Sequence, residues 1–225
     1  MATLWAFGDS FTAGDGCVET LPIKDGNLKY YNEYKKVDDD IWPNILGKTI
    51  GFTVKNIGKS GASNDYILDS IIDNFDMIES NDVVIIEKTF YQRFDIPKLD
   101  GSKFTTLFAE TLIETPSKFK VKNKYDKDEL EIETIFNYGV LFSDNILFKQ
   151  RQDKRFNFIE KQLKNKINKI LIWDIDSDLV KSIEKINQHT KNKIKDYHFS
   201  FNGHNSFSEL LYKKLYTNNT KLSLI

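Results

Sequence analysis

The chain has 225 residues, of which 40% are hydrophobic and 29% charged, and its formal net charge is −1. This composition indicates a folded domain and excludes a strongly basic nucleic-acid binder or an acidic tail as the identity of the whole chain. The single cysteine, Cys17, excludes an internal disulfide framework and a zinc site built from several cysteines. No apolar run approaches the roughly 18 residues that span a bilayer, so we expect no membrane partner. The near-neutral charge likewise leads us to expect no nucleic acid as a partner.

The first residues lack the basic stretch and long apolar core of a secretory signal. We therefore expect a cytoplasmic protein by default, with release by lysis or association with a virion as alternatives. The sequence leaves the oligomeric state open.

The predicted elements alternate between strands and helices. Short apolar runs closed by turn residues predict strands, and apolar residues spaced three and four apart predict helices. In chain order the patterns predict a strand at 3–7, a helix at 41–50, a strand at 52–57, a helix at 65–79, a strand at 83–87, a helix at 143–168, a strand at 170–173, a helix at 177–188, a strand or loop at 190–197 and a closing helix at 206–216. This alternation favours a parallel sheet covered by helices on both faces.

Two stretches interrupt the alternation. Residues 15–40 are polar and end in the acidic run Asp38–Asp40, and residues 95–140 include a lysine-rich segment. Both are longer than ordinary connections between elements. We expect one domain over 1–225 with insertions at about 15–40 and 95–140, the second holding a hairpin or short helices.

A candidate nucleophile follows the first predicted strand, in the turn Gly8-Asp9-Ser10. A serine between a strand and a helix projects from a sharp turn, and backbone N–H groups there point at the anion formed during attack. The alternative role for Ser10 is that of a helix N-cap.

A serine nucleophile requires an imidazole base oriented by a carboxylate. Of the three histidines, His198 lies two residues after Asp196 and just before the closing helix. We expect His204 to be a capping or packing residue and His189 to be a surface residue. His198 is therefore the candidate base.

Three sequence blocks together resemble the SGNH (GDSL-type) hydrolase superfamily. They are Gly8-Asp9-Ser10-Phe11, Asn56-Ile57-Gly58-Lys59-Ser60-Gly61-Ala62-Ser63-Asn64, and Asp196-Tyr197-His198 with Gly203-His204. They occur in the superfamily's order and at the predicted strand ends, over nearly the whole chain. An asparagine after the second block and an arginine after the third strand further resemble the small SGNH-like proteins of phage genomes.

The resemblance implies a flavodoxin-like three-layer α/β/α fold and a serine esterase mechanism. It implies that Ser10 is the nucleophile, that His198 is the general base and then the acid, and that Asp196 orients the imidazole. The backbone N–H groups of Ser10 and Gly61 would be two donors of the oxyanion hole.

The third donor departs from the family pattern. The family has an asparagine in a Gly-x-Asn-Asp motif after the third strand, whereas this chain has Lys88-Thr89-Phe90-Tyr91-Gln92-Arg93. Loss of one such donor costs about 10²–10³ in rate. Asn64 and Gln92 are the leading candidates for a replacement, and Thr89 and Tyr91 are further alternatives.

Arg93 follows a predicted strand at the edge where open α/β sheets bind ligands. It is a candidate to hold a carboxylate or sulfate of a substrate, and a surface ion pair, for example with Asp95, is the alternative. Asp9 and Tyr91 are further candidates for substrate contact. We expect Trp42 and Trp173 to lie in the core, whereas substrate contact by Tyr30, Tyr31 and Tyr34 stays open.

No cofactor or metal is expected. The chain contains neither a dinucleotide-binding glycine motif nor a phosphate-binding P-loop. Asp174, Asp176 and Asp178 alternate after a strand, but neither histidines nor a glycine-centred loop accompany them, which disfavours a cation site.

The sequence therefore predicts an esterase that hydrolyses a short-chain acyl ester, preferably an acetyl ester on a carbohydrate, through an acyl-enzyme. The partner would be a small-molecule or glycan ester. One alternative is an O-acyltransferase that uses the same triad. The other is a degenerate binding or structural module whose two insertions form the partner surface.

Overall fold

A computed structural model of the chain describes residues 1–15, 38–91, 93–97, 104–108, 146–183, 185 and 198–216. Its elements are β1 (Thr3–Phe7), α1 (Ser10–Ala13), a 3₁₀ turn (Asp38–Asp40), α2 (Trp42–Ile50), β2 (Thr53–Asn56), α3 (Asn64–Asn74) followed by a 3₁₀ turn (Phe75–Met77), β3 (Val83–Lys88), β4 (Arg93–Pro97), β5 (Phe104–Phe108), α4 (Ile146–Lys164), β6 (Lys169–Asp174), α5 (Asp178–Lys181) and α6 (Phe201–Tyr216).

The central sheet is parallel. Within the described residues it has four strands in the order β2-β1-β3-β6, and every neighbouring pair is parallel. This order matches the flavodoxin-like arrangement, in which helices form the crossover connections between parallel strands. The predicted α/β fold with a parallel sheet is confirmed.

Apolar layers cover both faces of the sheet. Alternate residues of a strand point to opposite faces, so Leu4 and Ala6 of β1 pack with α2 and α6, whereas Trp5 and Phe7 pack with α3 and α4. Full burial of one such large apolar side chain contributes about 1.5–3 kcal/mol. Apolar packing on both faces of the sheet stabilises a three-layer α/β/α arrangement. It also holds the ends of the strands in place.

The edge where the strands begin, the amino edge, is held by a buried carboxylate. Asp82 precedes β3 and accepts hydrogen bonds from Thr3 N at 2.7 Å, from Trp5 Nε1 at 2.9 Å and from Glu79 N at 2.9 Å. Both of its oxygens are bonded. Asp82 therefore joins β1 to the turn that enters β3.

Several predicted boundaries are wrong. The helix predicted at 65–79 ends at Asn74, where a 3₁₀ turn follows. Of the helix predicted at 177–188, the described residues are helical over Asp178–Lys181, and Lys185 instead forms an isolated antiparallel bridge with Phe199. The closing helix begins at Phe201 rather than at 206.

The structure describes parts of the two predicted insertions. An antiparallel hairpin of β4 and β5, with Arg93 opposite Phe108, lies at the start of the second. Residues 16–37 of the first, with its three tyrosines, and residues 109–145 fall outside the described residues, as do 190–197. The assignment of one domain with two insertions stays a prediction.

Trp42 and Trp173 are buried core residues, as expected. Within the described ranges, none of the helices combines the length and the apolarity that a membrane crossing requires.

Candidate active site

Ser10 is the first residue of α1, immediately after the turn that closes β1. Asp9 is the N-cap of this helix, because its Oδ1 accepts a hydrogen bond from Phe11 N at 3.0 Å. The alternative in which Ser10 is only a cap is therefore wrong. Gly14 ends the helix in the left-handed conformation, with φ of +83°. Ser10 follows the end of β1, so it lies at the carboxyl edge of the sheet, and the residue is 5% exposed.

The Asp9 carboxylate forms a buried ion pair with Arg93. Asp9 Oδ2 accepts hydrogen bonds from Arg93 Nη1 and from Thr89 Oγ1, both at 2.6 Å, and Asp9 is fully buried. Arg93 Nη1 also donates to the Ala62 carbonyl at 3.3 Å. Arg93 thereby connects the residue before Ser10 to the residue after Gly61, the two predicted oxyanion donors.

These contacts change the roles expected of Asp9 and Arg93. Asp9, with no exposed surface, caps α1 and binds Arg93 and does not contact substrate in this conformation. Arg93 forms a buried ion pair with Asp9, and Asp95 of the same strand accepts a hydrogen bond from Ser63 Oγ at 2.7 Å. Arg93 is therefore part of the scaffold that holds the Ser10 turn.

A second buried acid, Glu87 of β3, lies beneath the same turn. Glu87 Oε2 accepts hydrogen bonds from Asp9 N at 3.0 Å and from Thr12 Oγ1 at 2.5 Å. Burial and then the neighbouring Asp9 charge raise the pKa of Glu87 well above its ordinary value. A Cβ at Gly8 would lie 2.2 Å from Glu87 Oε2 and from Thr12 Oγ1, so only glycine at position 8 leaves room for these two bonds.

The loop after β2 docks against α1. Asn56 Nδ2 donates to the Thr12 carbonyl at 2.9 Å, and Asn56 Oδ1 accepts from Gly58 N at 2.9 Å. A Cβ at Gly58 would lie 2.4 Å from Ala13 N, so the two backbones approach closely there. Gly61, further along this exposed loop, has φ of +73°. The loop that carries Gly61 is thus fixed to the helix that carries Ser10.

Asn64, the first residue of α3, bonds the backbone of Thr89 just after the end of β3. Its Nδ2 donates to the Thr89 carbonyl and to Gln152 Oε1, both at 2.9 Å, and its Oδ1 accepts from Thr89 N at 2.9 Å. Both amide hydrogens are engaged with protein acceptors. The expectation that Asn64 supplies an oxyanion donor therefore finds no support in this geometry.

Tyr91 is half-buried beside the same edge. Its carbonyl accepts from Gln152 Nε2 at 3.5 Å, and the Lys149 ammonium lies 5.6 Å from its ring centre. Gln92, the other leading candidate for the third donor, lies outside the described residues. The Thr89 hydroxyl donates to Asp9, which leaves Tyr91 and Gln92 as candidates.

The chain brings His198 next to the helix that carries Ser10. The His198 ring lies 5.1 Å from the Phe11 ring, centre to centre, and His198 is partly exposed. The next residue, Phe199, is fully buried and packs edge-on against Phe11 at 5.0 Å. Phe11 therefore fixes the distance between the segment before α6 and the Ser10 turn. Asp196 and His189 lie outside the described residues.

His204 is a packing residue, as expected. It is fully buried, its Nδ1 accepts a hydrogen bond from Trp42 N at 3.3 Å, and its ring packs edge-on against Phe199 at 5.5 Å. It lies in the first turn of α6 and joins that helix to α2.

Asp174, Asp176 and Asp178 do not form a metal centre. Asp174 Oδ1 accepts from Asp176 N at 2.9 Å, and Asp178 pairs with Lys181 at 3.0 Å. Partial burial and the Asp174 charge raise the pKa of Asp176. In the part of the chain that the structure describes, no three His, Cys, Asp or Glu side chains are grouped so as to hold a metal ion.

Sequence reasoning missed Glu87, Thr12 and Asn56, whose polar groups hold the nucleophile turn. The one available signal was Glu87 itself, an acid at the end of the apolar run Val83–Ile86 in a strand expected to be buried. A charged residue at such a position requires a partner or a neutral state.

No family model and no curated protein sequence matches the chain. Among solved structures, it is similar to a lipolytic protein of the G-D-S-L family from Desulfitobacterium hafniense (14% identity, TM-score 0.37, covering 95% of this chain and 99% of that one). It is also similar to the lipase/acylhydrolase from Enterococcus faecalis (13%, 0.41, 95% and 95%) and to an acetyl xylan esterase from Butyrivibrio proteoclasticus (11%, 0.43, 96% and 63%). Identities and TM-scores this low do not assign the chain to a family.

The fold and the site define a class of protein without these similarities. The chain is an α/β protein with a parallel central sheet, a serine at the start of a helix on the carboxyl edge, and a histidine held beside that helix.

Proposed function

We propose that the protein is a serine esterase of the SGNH (GDSL) type. The observation that carries the proposal is the placement of Ser10 at the first position of α1, with His198 packed against Phe11 of the same helix. The three sequence blocks support the superfamily. The resemblance to the small SGNH-like proteins of phage genomes, proposed within it, is supported by the presence of Asn64 and Arg93.

The proposed mechanism passes through an acyl-enzyme. Ser10 Oγ attacks the ester carbonyl carbon while His198 accepts its proton, and the backbone N–H groups of Ser10 and Gly61 bind the oxyanion. The tetrahedral intermediate collapses, and the alcohol leaves with the proton from His198. Water, activated by the same imidazole, then attacks the acyl carbon and releases the acid. Asp196 orients and stabilises the imidazolium in this scheme.

The buried scaffold supports this chemistry by holding the nucleophile and one oxyanion loop together. Arg93 binds both Asp9 and the Ala62 carbonyl, so the residues next to Ser10 and Gly61 are bound to the same guanidinium. Donors that are positioned before the reaction need no reorganisation when charge develops on the substrate oxygen. Tyr91 or Gln92 would supply the third donor.

For the substrate we propose a short-chain acyl ester, preferably an acetyl group on a small molecule or glycan, with no cofactor. The preference rests on the superfamily resemblance, in which short acyl esters on glycans are frequent substrates. Acetyl release from an acetylated oligosaccharide, measured with and without an acceptor sugar, separates hydrolysis from acyl transfer.

The first test is turnover of p-nitrophenyl acetate by wild type, Ser10→Ala and Ser60→Ala. We expect Ser10→Ala to lower kcat/KM by roughly 10³-fold or more, because the acyl-enzyme can no longer form. Ser60→Ala removes an exposed hydroxyl from the neighbouring loop, and it should retain wild-type turnover. Full turnover by Ser10→Ala rejects the esterase proposal.

A further inference from the structure

Glu87 occupies an unusual position for an acid. It is fully buried in the central strand β3, and its Oε2 bonds two groups that flank the nucleophile in sequence: the backbone N–H of Asp9 and the hydroxyl of Thr12. Its other oxygen, Oε1, is buried without a hydrogen-bond partner. Leaving a buried polar atom unbonded costs stability, so packing alone does not explain an acid at this position.

The space for Glu87 is built into the turn. Gly8 lies between Glu87 and Thr12, and any Cβ there would displace both side chains. The carboxyl group therefore reaches the turn only because residue 8 has no side chain. The Glu87 carboxyl group and the nucleophile turn fit together as one unit.

Charge also sets Glu87 apart. Asp9, on the turn after β1, pairs with Arg93 of β4, and Lys88, next to Glu87 in β3, pairs with Asp153 of α4 at 2.9 Å. Glu87 is thus a second buried carboxyl group beside Asp9. Burial and the Asp9 charge raise its pKa, so this site favours the neutral acid more than water does.

We propose that Glu87 is a positioning residue for Ser10: its carboxyl group holds the Asp9 N–H before the nucleophile and the Thr12 hydroxyl after it, and so fixes the direction of the Ser10 hydroxyl. The inference rests on the proposed esterase function. Ionisation of Glu87 places a second negative charge beside Asp9, loosens the turn and lowers the reactivity of Ser10. We therefore expect Ser10 reactivity to fall when Glu87 ionises.

The test is the rate at which a fluorophosphonate labels Ser10 between pH 6 and 10 in wild type, Glu87→Gln, Glu87→Leu and Asp82→Asn. Glu87→Gln keeps an acceptor oxygen and cannot ionise. We expect it to label within about threefold of wild type at neutral pH and to lose the alkaline decline. Glu87→Leu removes the acceptor, and we expect labelling at least tenfold slower, since small displacements of a reacting group cost up to about 10²-fold.

Asp82→Asn is the matched control, an acid-to-amide change at a buried carboxyl group on the other edge of the sheet. It should lower the unfolding temperature while the folded protein keeps the wild-type labelling rate and pH profile. An alkaline decline that survives in Glu87→Gln overturns the proposal, and so does wild-type labelling by Glu87→Leu.

Hydrogen exchange over residues 8–13 separates this proposal from the esterase function. Loss of the two bonds to Glu87 should speed exchange there about tenfold in Glu87→Leu, as a bond worth about 1–1.5 kcal/mol requires, and leave residues 78–82 at the amino edge unchanged. If wild type shows no labelling but this exchange pattern, the esterase is rejected and Glu87 still positions the turn. Equal exchange in wild type and Glu87→Leu overturns the positioning role.

Discussion

The two edges of the central sheet each contain a buried carboxyl group, and they bond these groups in different ways. At the amino edge, both oxygens of Asp82 accept N–H donors from β1 and from the turn before β3. At the edge where the strands end, Glu87 uses one oxygen, leaves the other unbonded and lies beside the Asp9 carboxylate. The Asp9 carboxylate is in turn paired with the Arg93 guanidinium.

The difference separates an edge whose acid stabilises the fold from the edge at which we propose the active site. A carboxylate whose oxygens all accept hydrogen bonds from N–H groups stabilises the fold and needs no further partner. Two buried acids side by side, of which the structure shows one paired with an arginine, are costly, and groups of this kind concentrate where a protein carries out chemistry. The carboxyl edge is also where open parallel sheets place their ligand sites.

The largest expected effect on stability comes from removing Arg93. Arg93→Met leaves the Asp9 carboxylate buried without its cation, and we expect a loss of about 3 kcal/mol in the free energy of unfolding. Urea denaturation measures it. Lys88→Met is the control, because the Lys88–Asp153 pair is partly exposed and should contribute less than about 1 kcal/mol.

The double variant Asp9→Asn/Arg93→Met checks the cause of that loss. If the unpaired carboxylate is responsible, the double variant should be more stable than Arg93→Met alone. A double variant as unstable as the sum of both single changes contradicts the assignment of the ion pair.

The next effect is a pH dependence that belongs to Glu87. Its pKa is raised in the folded state, so the unfolded chain loses this proton first as pH rises above about 4.5. Folding stability is therefore complete at acid pH and falls as pH rises towards the raised pKa, by at most about 1.4 kcal/mol per pH unit. Glu87→Gln should lack this part of the slope in urea denaturation from pH 5 to 9. Asp82→Asn, which leaves Glu87 in place, should retain it.

The smallest expected effect is a difference between alanine substitutions at two glycines that have the same backbone φ angle. Gly51 and Gly61 both have φ of +73°, and a Cβ at either would meet nothing within 4 Å. Alanine at either position should cost about 1 kcal/mol, because an L-residue is strained in the left-handed region. Only Gly61→Ala should also slow labelling of Ser10, by up to about tenfold, since strain there turns a proposed oxyanion donor. Equal labelling by the two variants contradicts a role for the Gly61 loop.

Local patterns in the sequence predicted the elements that lie between the edges. The apolar runs at 3–7 and 83–87 became the two central strands because both of their faces are buried. Helix ends were less predictable: α3 stops at Asn74 although its apolar spacing continues, and α6 begins at Phe201 before a glycine that disfavours helix. Packing of the whole domain decides such boundaries.

The site was predictable only as far as motifs describe it. Gly8-Asp9-Ser10 marked the turn of the proposed nucleophile, and the loop around Gly61 followed from the resemblance. The partners of Asp9 did not follow, because Glu87 and Arg93 lie 78 and 84 positions away along the chain. No local pattern connects groups that meet only when two parallel strands end at the same edge.

The most direct measurement is intact-mass spectrometry of the folded protein after treatment with a fluorophosphonate, on wild type, Ser10→Ala and Ser60→Ala. We expect one adduct on wild type and on Ser60→Ala, and none on Ser10→Ala. An adduct that persists in Ser10→Ala, or a folded wild-type protein that takes none, would contradict an activated Ser10 at the carboxyl edge of the sheet.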